Sequence, residues 1–225
     1  MDFERGEALL VNKPLTWTSF DVVNKLRYAI KKKIGNKIKV GHAGTLDPLA
    51  TGLLIICTGK MTKKIDEFTG MDKEYTGSFY IGGTTATYDS EFEMNATFPV
   101  DHINEEMLHT AAQSFIGDIE QMPPIYSAIK IDGSAAYLAA RKGEDVVMKL
   151  RNVTIKEFEL TKIEMPLVHF RVVCSKGTYI RSLAFDYGKA LNSGAYLASL
   201  CRTKIGSFDV KDAHELDALI KEIAS

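Results

Sequence analysis

The chain has 225 residues, 45% of them hydrophobic and 25% charged, with a formal net charge of −1. That is the composition of an ordinary globular protein long enough to bury a large core. The near-neutral charge gives no global pull toward nucleic acid, and no apolar run approaches the ~20 residues of a membrane-spanning helix. Three scattered cysteines, Cys57, Cys174 and Cys201, include no Cys-x-x-Cys pair, which argues against a disulfide framework or a zinc site and fits a reducing cytoplasm.

The N-terminus shows no basic segment followed by an apolar one, so no secretory signal is expected. Leu9-Leu10-Val11 reads as a short strand leading to Lys13-Pro14. Thr18 and Asp21 make a capping box, after which Val22, Val23, Leu26, Ala29 and Ile30 keep helical spacing. Seven basic and no acidic residues lie between Lys25 and Lys39, either a solvated helix end or a phosphate-binding rim. Residues 41–52 form a glycine-bordered loop around Asp47, and the apolar run Leu53-Leu54-Ile55-Ile56 behind it predicts a buried strand.

Further along, Tyr75, Gly77, Phe79 and Ile81 alternate as in a half-buried strand. Residues 104–115 predict a helix stopped by Gly117, and residues 123–143 a loop with a short helix. Val153–Leu160 and Val168–Cys174 read as strands, and Ile180, Leu183, Ala184, Tyr187 and Leu191 as one helical stripe. Asp212 and Glu215 are read as capping a last helix. Strands and helices mix without regular βαβ alternation, so the expected class is α+β with a largely antiparallel sheet.

Asp47 has the chemical interest. A carboxylate on a rigid loop at the end of a core strand suits a nucleophile or base, although an isolated Asp-Pro would ordinarily cap a turn. No second carboxylate lies near it in sequence, and no metal-binding spacing, nucleophile elbow or phosphate-binding loop is present. A second stretch, residues 174–182, places Tyr179 and Arg181 at a helix start, where Arg181 is either a surface arginine or a fixed cation for a carboxylate. A small-molecule hydrolase using Asp47 would want another acid/base group with suitable spacing, and the sequence offers none.

Lys13-Pro14, residues 41–52, Lys73-Glu74-Tyr75, Pro124-Ile125-Tyr126-Ser127-Ala128-Ile129-Lys130 and residues 175–182 together resemble the TruB family of tRNA pseudouridine synthases, in order and at family spacing from about Leu9 to about Arg202. The resemblance implies the pseudouridine synthase fold and isomerisation of uridine 55 in the tRNA T loop, without metal or cofactor. It assigns Asp47 as the catalytic aspartate, Tyr75 as the aromatic stacking on the target base, and Arg181 as the arginine paired with the aspartate. Tyr179 and Leu200 would line the uracil pocket, and His42 would meet the RNA where the base leaves its stack. Lys13 and Pro14 would support the site loop, Lys130 would lie in an RNA-gripping insertion at about 122–150, and Asp89 would be an acidic residue behind the site.

A single catalytic domain over 1–225, with no separate C-terminal PUA domain, is expected from the few residues after Arg202. The expected partner is the T arm of tRNA, bound by a cytoplasmic monomer without membrane association. The pocket leucine is commonly followed by two arginines in the family, whereas here Cys201-Arg202 follow, removing one possible phosphate contact. The alternative is a non-catalytic RNA-binding or tRNA-folding protein on the same scaffold.

Overall fold

A computed structural model describes residues 1–127, 129–131, 134–143 and 147–225. In chain order the elements begin with β1 (Ala8–Lys13), α1 (Ser19–Ile34), β2 (Val40–Ala43), β3 (Ala50–Thr58), α2 (Ile65–Gly70) and β4 (Lys73–Ile81). Next come β5 (Gly83–Thr85), β6 (Met94–Thr97), α3 (Glu105–Ser114), β7 (Gly117–Gln121), β8 (Lys130–Ile131), β9 (Ser134–Ala135) and α4 (Ala136–Arg141). The chain closes with β10 (Arg151–Glu164), β11 (Leu167–Cys174), α5 (Ile180–Ala190), β12 (Ala195–Ile205), β13 (Phe208–Asp209), β14 (His214–Glu215) and α6 (Leu216–Ala224). These form two compact units, one of Met1–Thr76 with Leu200–Ser225 and one of Gly77–Ser199, so β4 and β12 each contribute residues to both. The class is the expected α+β, with mostly antiparallel pairing.

In the first unit the strand order is β14-β1-β3-β12, with β2 on β3 and β13 on β12. β1 and β3 pair antiparallel, Val11 opposite Leu54, while β3 and β12 pair parallel, Leu200 opposite Ala50 and Arg202 opposite Gly52. The apolar run of β3 is buried on both faces, every residue from Leu53 to Cys57 being 0% exposed. Because side chains alternate along a strand, Leu54 and Ile56 pack with Val22, Leu26 and Ile30 of α1 and Leu219 and Ile223 of α6. Leu53, Ile55 and Cys57 point the other way, toward Phe68 of α2 and Ile205 of β12. Each such side chain contributes roughly 1.5–3 kcal/mol by leaving water, which anchors β3 in the core of this unit.

α1 starts at the expected capping box: the Thr18 hydroxyl accepts from the Asp21 N–H, and the Asp21 carboxylate accepts from the Thr18 N–H. It ends at Gly35 in the left-handed conformation, with Lys31, Lys32 and Lys33 in its last turn, where cations complement the helix dipole.

In the second unit the order is β4-β11-β10-β7, with β10 antiparallel to both neighbours. Its core is aromatic. Phe79 stacks on Phe170 at 4.2 Å, Phe158 meets Phe79 edge-on at 6.1 Å, and Tyr187 of α5 lies 5.6 Å from Phe158. The Tyr187 hydroxyl donates to the Leu108 carbonyl of α3, satisfying the polar end of a fully buried ring.

Three expectations are corrected in detail. Of the loop expected over 41–52, residues 41–43 belong to β2, which forms a hairpin with Ile55–Thr58, and residues 50–52 to β3, which leaves a turn of six residues. The last helix is capped at Glu215, with no side-chain hydrogen bond at the cap. Asp212 lies instead in a 3-10 turn whose start is capped by Asp209, its carboxylate accepting from the Lys211 N–H at 2.9 Å. The strand expected over 153–160 runs from 151 to 164.

Candidate active site

Asp47 sits in the six-residue turn between β2 and β3, half-buried, with its own carbonyl accepting from the Ala50 N–H at 3.0 Å. Four other residues hold this turn through its main chain. The Ser19 hydroxyl, 2% exposed, donates to the Leu46 carbonyl and accepts from the Leu46 N–H, so one side chain satisfies both peptide groups. The Thr16 N–H donates to the Pro48 carbonyl at 2.8 Å. Lys13, 0% exposed, spreads its ammonium over the Pro14 carbonyl at 3.0 Å, the Trp17 carbonyl at 2.6 Å and the Pro48 carbonyl at 3.4 Å. Burial pulls the Lys13 pKa down to about 8; the Asp47 charge works against that shift and the Arg202 charge adds to it.

Arg202 is the fourth clamp, and the only role the sequence reading gave its neighbourhood was a phosphate contact. It is 1% exposed, and its guanidinium donates from Nε to the Leu53 carbonyl at 2.8 Å, from Nη2 to the Gly44 carbonyl at 3.1 Å and from Nη1 to the Thr45 carbonyl at 3.4 Å. The planar fork thus ties β3 to the first two residues of the turn. The main chain at Arg202 also dictates Gly52: at φ +104° a Cβ there would lie 2.3 Å from the Arg202 carbonyl oxygen. Ser19 follows the capping threonine and Arg202 follows Cys201 on an unforeseen strand; only the second position offered a signal, a charged residue in an alternating apolar segment.

The remaining first-unit candidates lie on the strands around this turn. His42 is on β2 opposite Ile56, and its Nδ1 is buried with no hydrogen-bond partner among the described residues. Burial holds its pKa below the ordinary histidine value, favouring the neutral imidazole. Pro14 follows Lys13 at the end of β1 and is half-buried. Leu200 pairs with Ala50, three residues past Asp47, and its carbonyl accepts from the Thr51 hydroxyl. Tyr75, on β4, is 9% exposed. Beside it, Glu74 accepts from the Thr203 hydroxyl at 2.7 Å, and the Lys73 ammonium caps the end of α2 through the Thr69 and Met71 carbonyls.

The second unit gathers Tyr179, Arg181 and Asp89. Tyr179 is the N-cap residue of α5, and its N–H donates to Gln121 Oε1 at 2.7 Å. Arg181, 5% exposed rather than at the surface, donates to the Thr87 carbonyl at 3.2 Å and to the Tyr126 carbonyl at 3.0 Å. Asp89 Oδ2 lies 3.6 Å from Arg181 Nε, supplying the opposite charge a buried guanidinium needs. Its other oxygen accepts from the Thr87 hydroxyl at 2.6 Å and the Glu91 N–H at 3.0 Å. Tyr88 between them takes φ +62°, uncommon for a bulky residue, and its ring stacks on Phe185 at 4.1 Å. Lys130 is on β8, paired with Ala135; its side chain lies outside the described residues.

Among the described residues no cluster of three or more His, Cys, Asp or Glu could hold a metal ion, and no helix is long and apolar enough to cross a membrane. The arrangement offers, on one unit, a carboxylate on a turn held through its main chain, and on the other a buried guanidinium with its own counter-charge.

Residues 31–180 match the TruB family pseudouridylate synthase (N terminal domain). A protein named tRNA pseudouridine synthase B from Flavobacterium johnsoniae is 58% identical over 217 residues, 96% of this chain and 95% of that protein. One of the same name from Phocaeicola vulgatus is 55% identical over 219 residues, 97% of this chain and 93% of that protein. Among solved structures, a Cbf5-Nop10-Gar1 complex aligns with a TM-score of 0.73 at 29% identity over 97% of this chain. An H/ACA RNP bound to a substrate RNA containing 2′-deoxyuridine aligns with a TM-score of 0.70 at 26% identity over 97% of it. This chain spans 54% and 53% of the matched chains in those two structures. On the identity and coverage of these matches, the chain belongs to the TruB family of pseudouridylate synthases.

Proposed function

We propose that this protein isomerises uridine 55 in the T loop of tRNA to pseudouridine, with Asp47 as the group that initiates the reaction. The observation that carries the reading is the turn of Asp47, whose main chain is bonded at residues 44, 45, 46, 47 and 48 by partners from β1, α1, β3 and β12. Such a carboxylate meets a substrate with little reorganisation, which is where an enzyme gains most from fixed geometry. Relatives named tRNA pseudouridine synthase B support tRNA as the substrate class.

In the reaction the N1–C1′ bond of the uridine breaks, the uracil turns while held, and a C5–C1′ bond forms with loss of the C5 proton. Asp47 would act at C1′, at C6 or on the 2′ proton; each route needs an ionised carboxylate beside the glycosidic bond. The base must first leave its stack, at a cost of a few kcal/mol, and stacking on Tyr75 can return roughly 1–3 kcal/mol of that. We assign Arg181 as the cationic partner of Asp47, Asp89 as the residue that holds Arg181, and Tyr179 and Leu200 as walls of the uracil site. His42, neutral, would meet the RNA beside the extruded base, Lys13 and Pro14 would support the turn, and Lys130 would contact RNA within the insertion. The glycosidic bond lost at N1 is replaced by one at C5, and the proton lost from C5 is balanced by one taken up at N1, so the isomerisation involves no net oxidation or reduction and calls for no cofactor.

The test is tritium release from 5-tritiated uridine in a tRNA T-arm stem-loop. The wild type should release it, free uridine should be inert, and Asp47→Asn should bind the stem-loop with unchanged affinity while releasing nothing. Appreciable turnover by Asp47→Asn would remove Asp47 from its role. Binding without conversion by the wild type would favour the non-catalytic alternative.

A further inference from the structure

On the outer side of α1, Thr16, Trp17, Asp21, Asn24, Lys25 and Tyr28 line an open cleft of about 510 Å³. Along α1 its lining residues from Asp21 to Tyr28 extend over about 10 Å at helical rise. Its surroundings are unusual for a solvated helix face. Tyr28 is 71% exposed, Phe20 57% and Leu15 53%, and the Arg27 guanidinium lies 5.7 Å from the centre of the Phe20 ring. The same helix then runs into Lys31, Lys32 and Lys33, all exposed. Within the cleft Tyr28 is exposed and Trp17 is half-buried, packed in part against the core beneath α1. Aromatic rings in a groove beside a one-signed basic run are the combination that binds unpaired nucleic acid, with rings for the bases and cations for the backbone.

We propose that this cleft binds a short unpaired run of the RNA substrate outside the target uridine, with bases against Trp17 and Tyr28 and phosphate toward Lys25. The proposal rests on the RNA substrate argued above. A second copy of this chain fits less well, because seven basic and no acidic residues between Lys25 and Lys39 would face their own kind. Asp21, the one acidic lining residue, has its carboxylate engaged by the Thr18 N–H and hydroxyl and stands at the helix end away from Lys25–Lys39. The cleft is joined to the turn of Asp47 by two bonds. The Thr16 N–H and the Lys13 ammonium both reach the Pro48 carbonyl, and Lys13 also holds the Trp17 carbonyl. An occupant against Trp17 therefore sits on the same scaffold that positions the carboxylate.

Trp17 is the single tryptophan of the chain, so its emission reports the cleft directly. The experiment titrates a full-length tRNA transcript into the intact protein and follows Trp17 fluorescence, with pseudouridine formation measured in the same samples. Saturable quenching is expected. Tyr28→Ala should weaken binding about tenfold, the lower range for loss of one stacked base, and Tyr28→Phe should restore it. Lys25→Gln should reduce the slope of log affinity against log salt by about one. Unchanged emission at saturating tRNA, or full affinity of Tyr28→Ala, overturns the proposal even while conversion proceeds. Quenching without any pseudouridine would instead defeat the proposed function and leave the cleft standing. Concentration-dependent dimerisation that shields Trp17 in the absence of RNA would give the face to a second copy and also overturn the proposal.

Discussion

Replacing Arg202 with methionine tests whether the guanidinium fork positions Asp47 or merely fills space. Methionine keeps most of the buried apolar volume, so the change isolates the hydrogen bonds. Two of the three are well formed, Nε to the Leu53 carbonyl at 2.8 Å and Nη2 to the Gly44 carbonyl at 3.1 Å, while the third, to Thr45 at 3.4 Å, is long enough to contribute little. Hydrogen bonds from a charged donor contribute about 1.5–3 kcal/mol each, so the loss is roughly 3–6 kcal/mol, a large share of the ~5–15 kcal/mol of a typical domain. For a chain of this size that corresponds to a fall in Tm of roughly 6–24 °C. The catalytic effect is separable. Freeing Gly44 and Thr45 loosens the turn two and three residues from Asp47, and a misplacement of about 1 Å costs on the order of 100-fold in rate. The assay is tritium release at a temperature well below the variant's own Tm, beside thermal unfolding followed by circular dichroism. Arg202→Lys, which keeps the charge but loses the fork, should be intermediate in both. If Arg202→Met lost stability as expected yet turned over within threefold of the wild type, the fork would be structural only, and the argument that it positions the carboxylate would be refuted.

Lys13 leads to opposite pH effects on activity and stability. Its folded-state pKa of about 8 lies below the ordinary lysine value of 10.5, so above pH 8 the folded chain gives up a proton that the unfolded chain keeps. Between about pH 8 and 10.5 the unfolded state binds more protons, and the contribution of Lys13 to stability rises with pH. Activity should fall over the same range, because a neutral amine has two hydrogens for three carbonyls; a pH–rate profile flat through pH 9 would contradict this. Gly52→Ala should destabilise by about 2–4 kcal/mol in urea unfolding, combining positive φ with a Cβ 2.3 Å from the Arg202 carbonyl oxygen. Gly35→Ala, also at positive φ but with nothing within 4 Å, should lose only about 1 kcal/mol.

What could be read from the sequence was local. The capping box of Thr18 and Asp21, the helix expected over 104–115, and the stripe of α5 are all written within a few helical turns, and each is found. The buried strand behind Asp47 was legible because Leu53 to Cys57 is apolar on both faces. β12 was not: Ala-Tyr-Leu-Ala-Ser-Leu-Cys-Arg-Thr-Lys-Ile interrupts its alternation with Arg202, whose burial makes sense only against the carbonyls of Leu53 and Gly44, some 150 residues away in sequence. Lys13 and Arg181 failed to announce themselves for the same reason. A lone lysine or arginine is ordinarily solvated, and both are buried here by carbonyl acceptors that no local pattern reveals. Tyr75 could be placed on a strand but its role could not, since a core tyrosine and a stacking tyrosine alternate alike.

The way the turn is held bears on what a loss of activity would mean. Lys13, Thr16, Ser19 and Arg202 all bond peptide groups of Gly44, Thr45, Leu46 and Pro48, so the path of the chain at position 47 is set through its main chain. Asp47→Asn changes one oxygen for an amide nitrogen and removes none of these bonds. It should therefore abolish turnover while lowering Tm by less than Arg202→Met does. Arg202→Met does the converse: the carboxylate and its chemistry remain, but the frame around it is loosened, so turnover and Tm fall together. Two variants that both lose turnover but differ in how far Tm falls would separate a residue that reacts from a residue that holds it. If instead Asp47→Asn unfolded as readily as Arg202→Met, the side chain at 47 would itself be part of the frame, and a lost rate could no longer be assigned to chemistry.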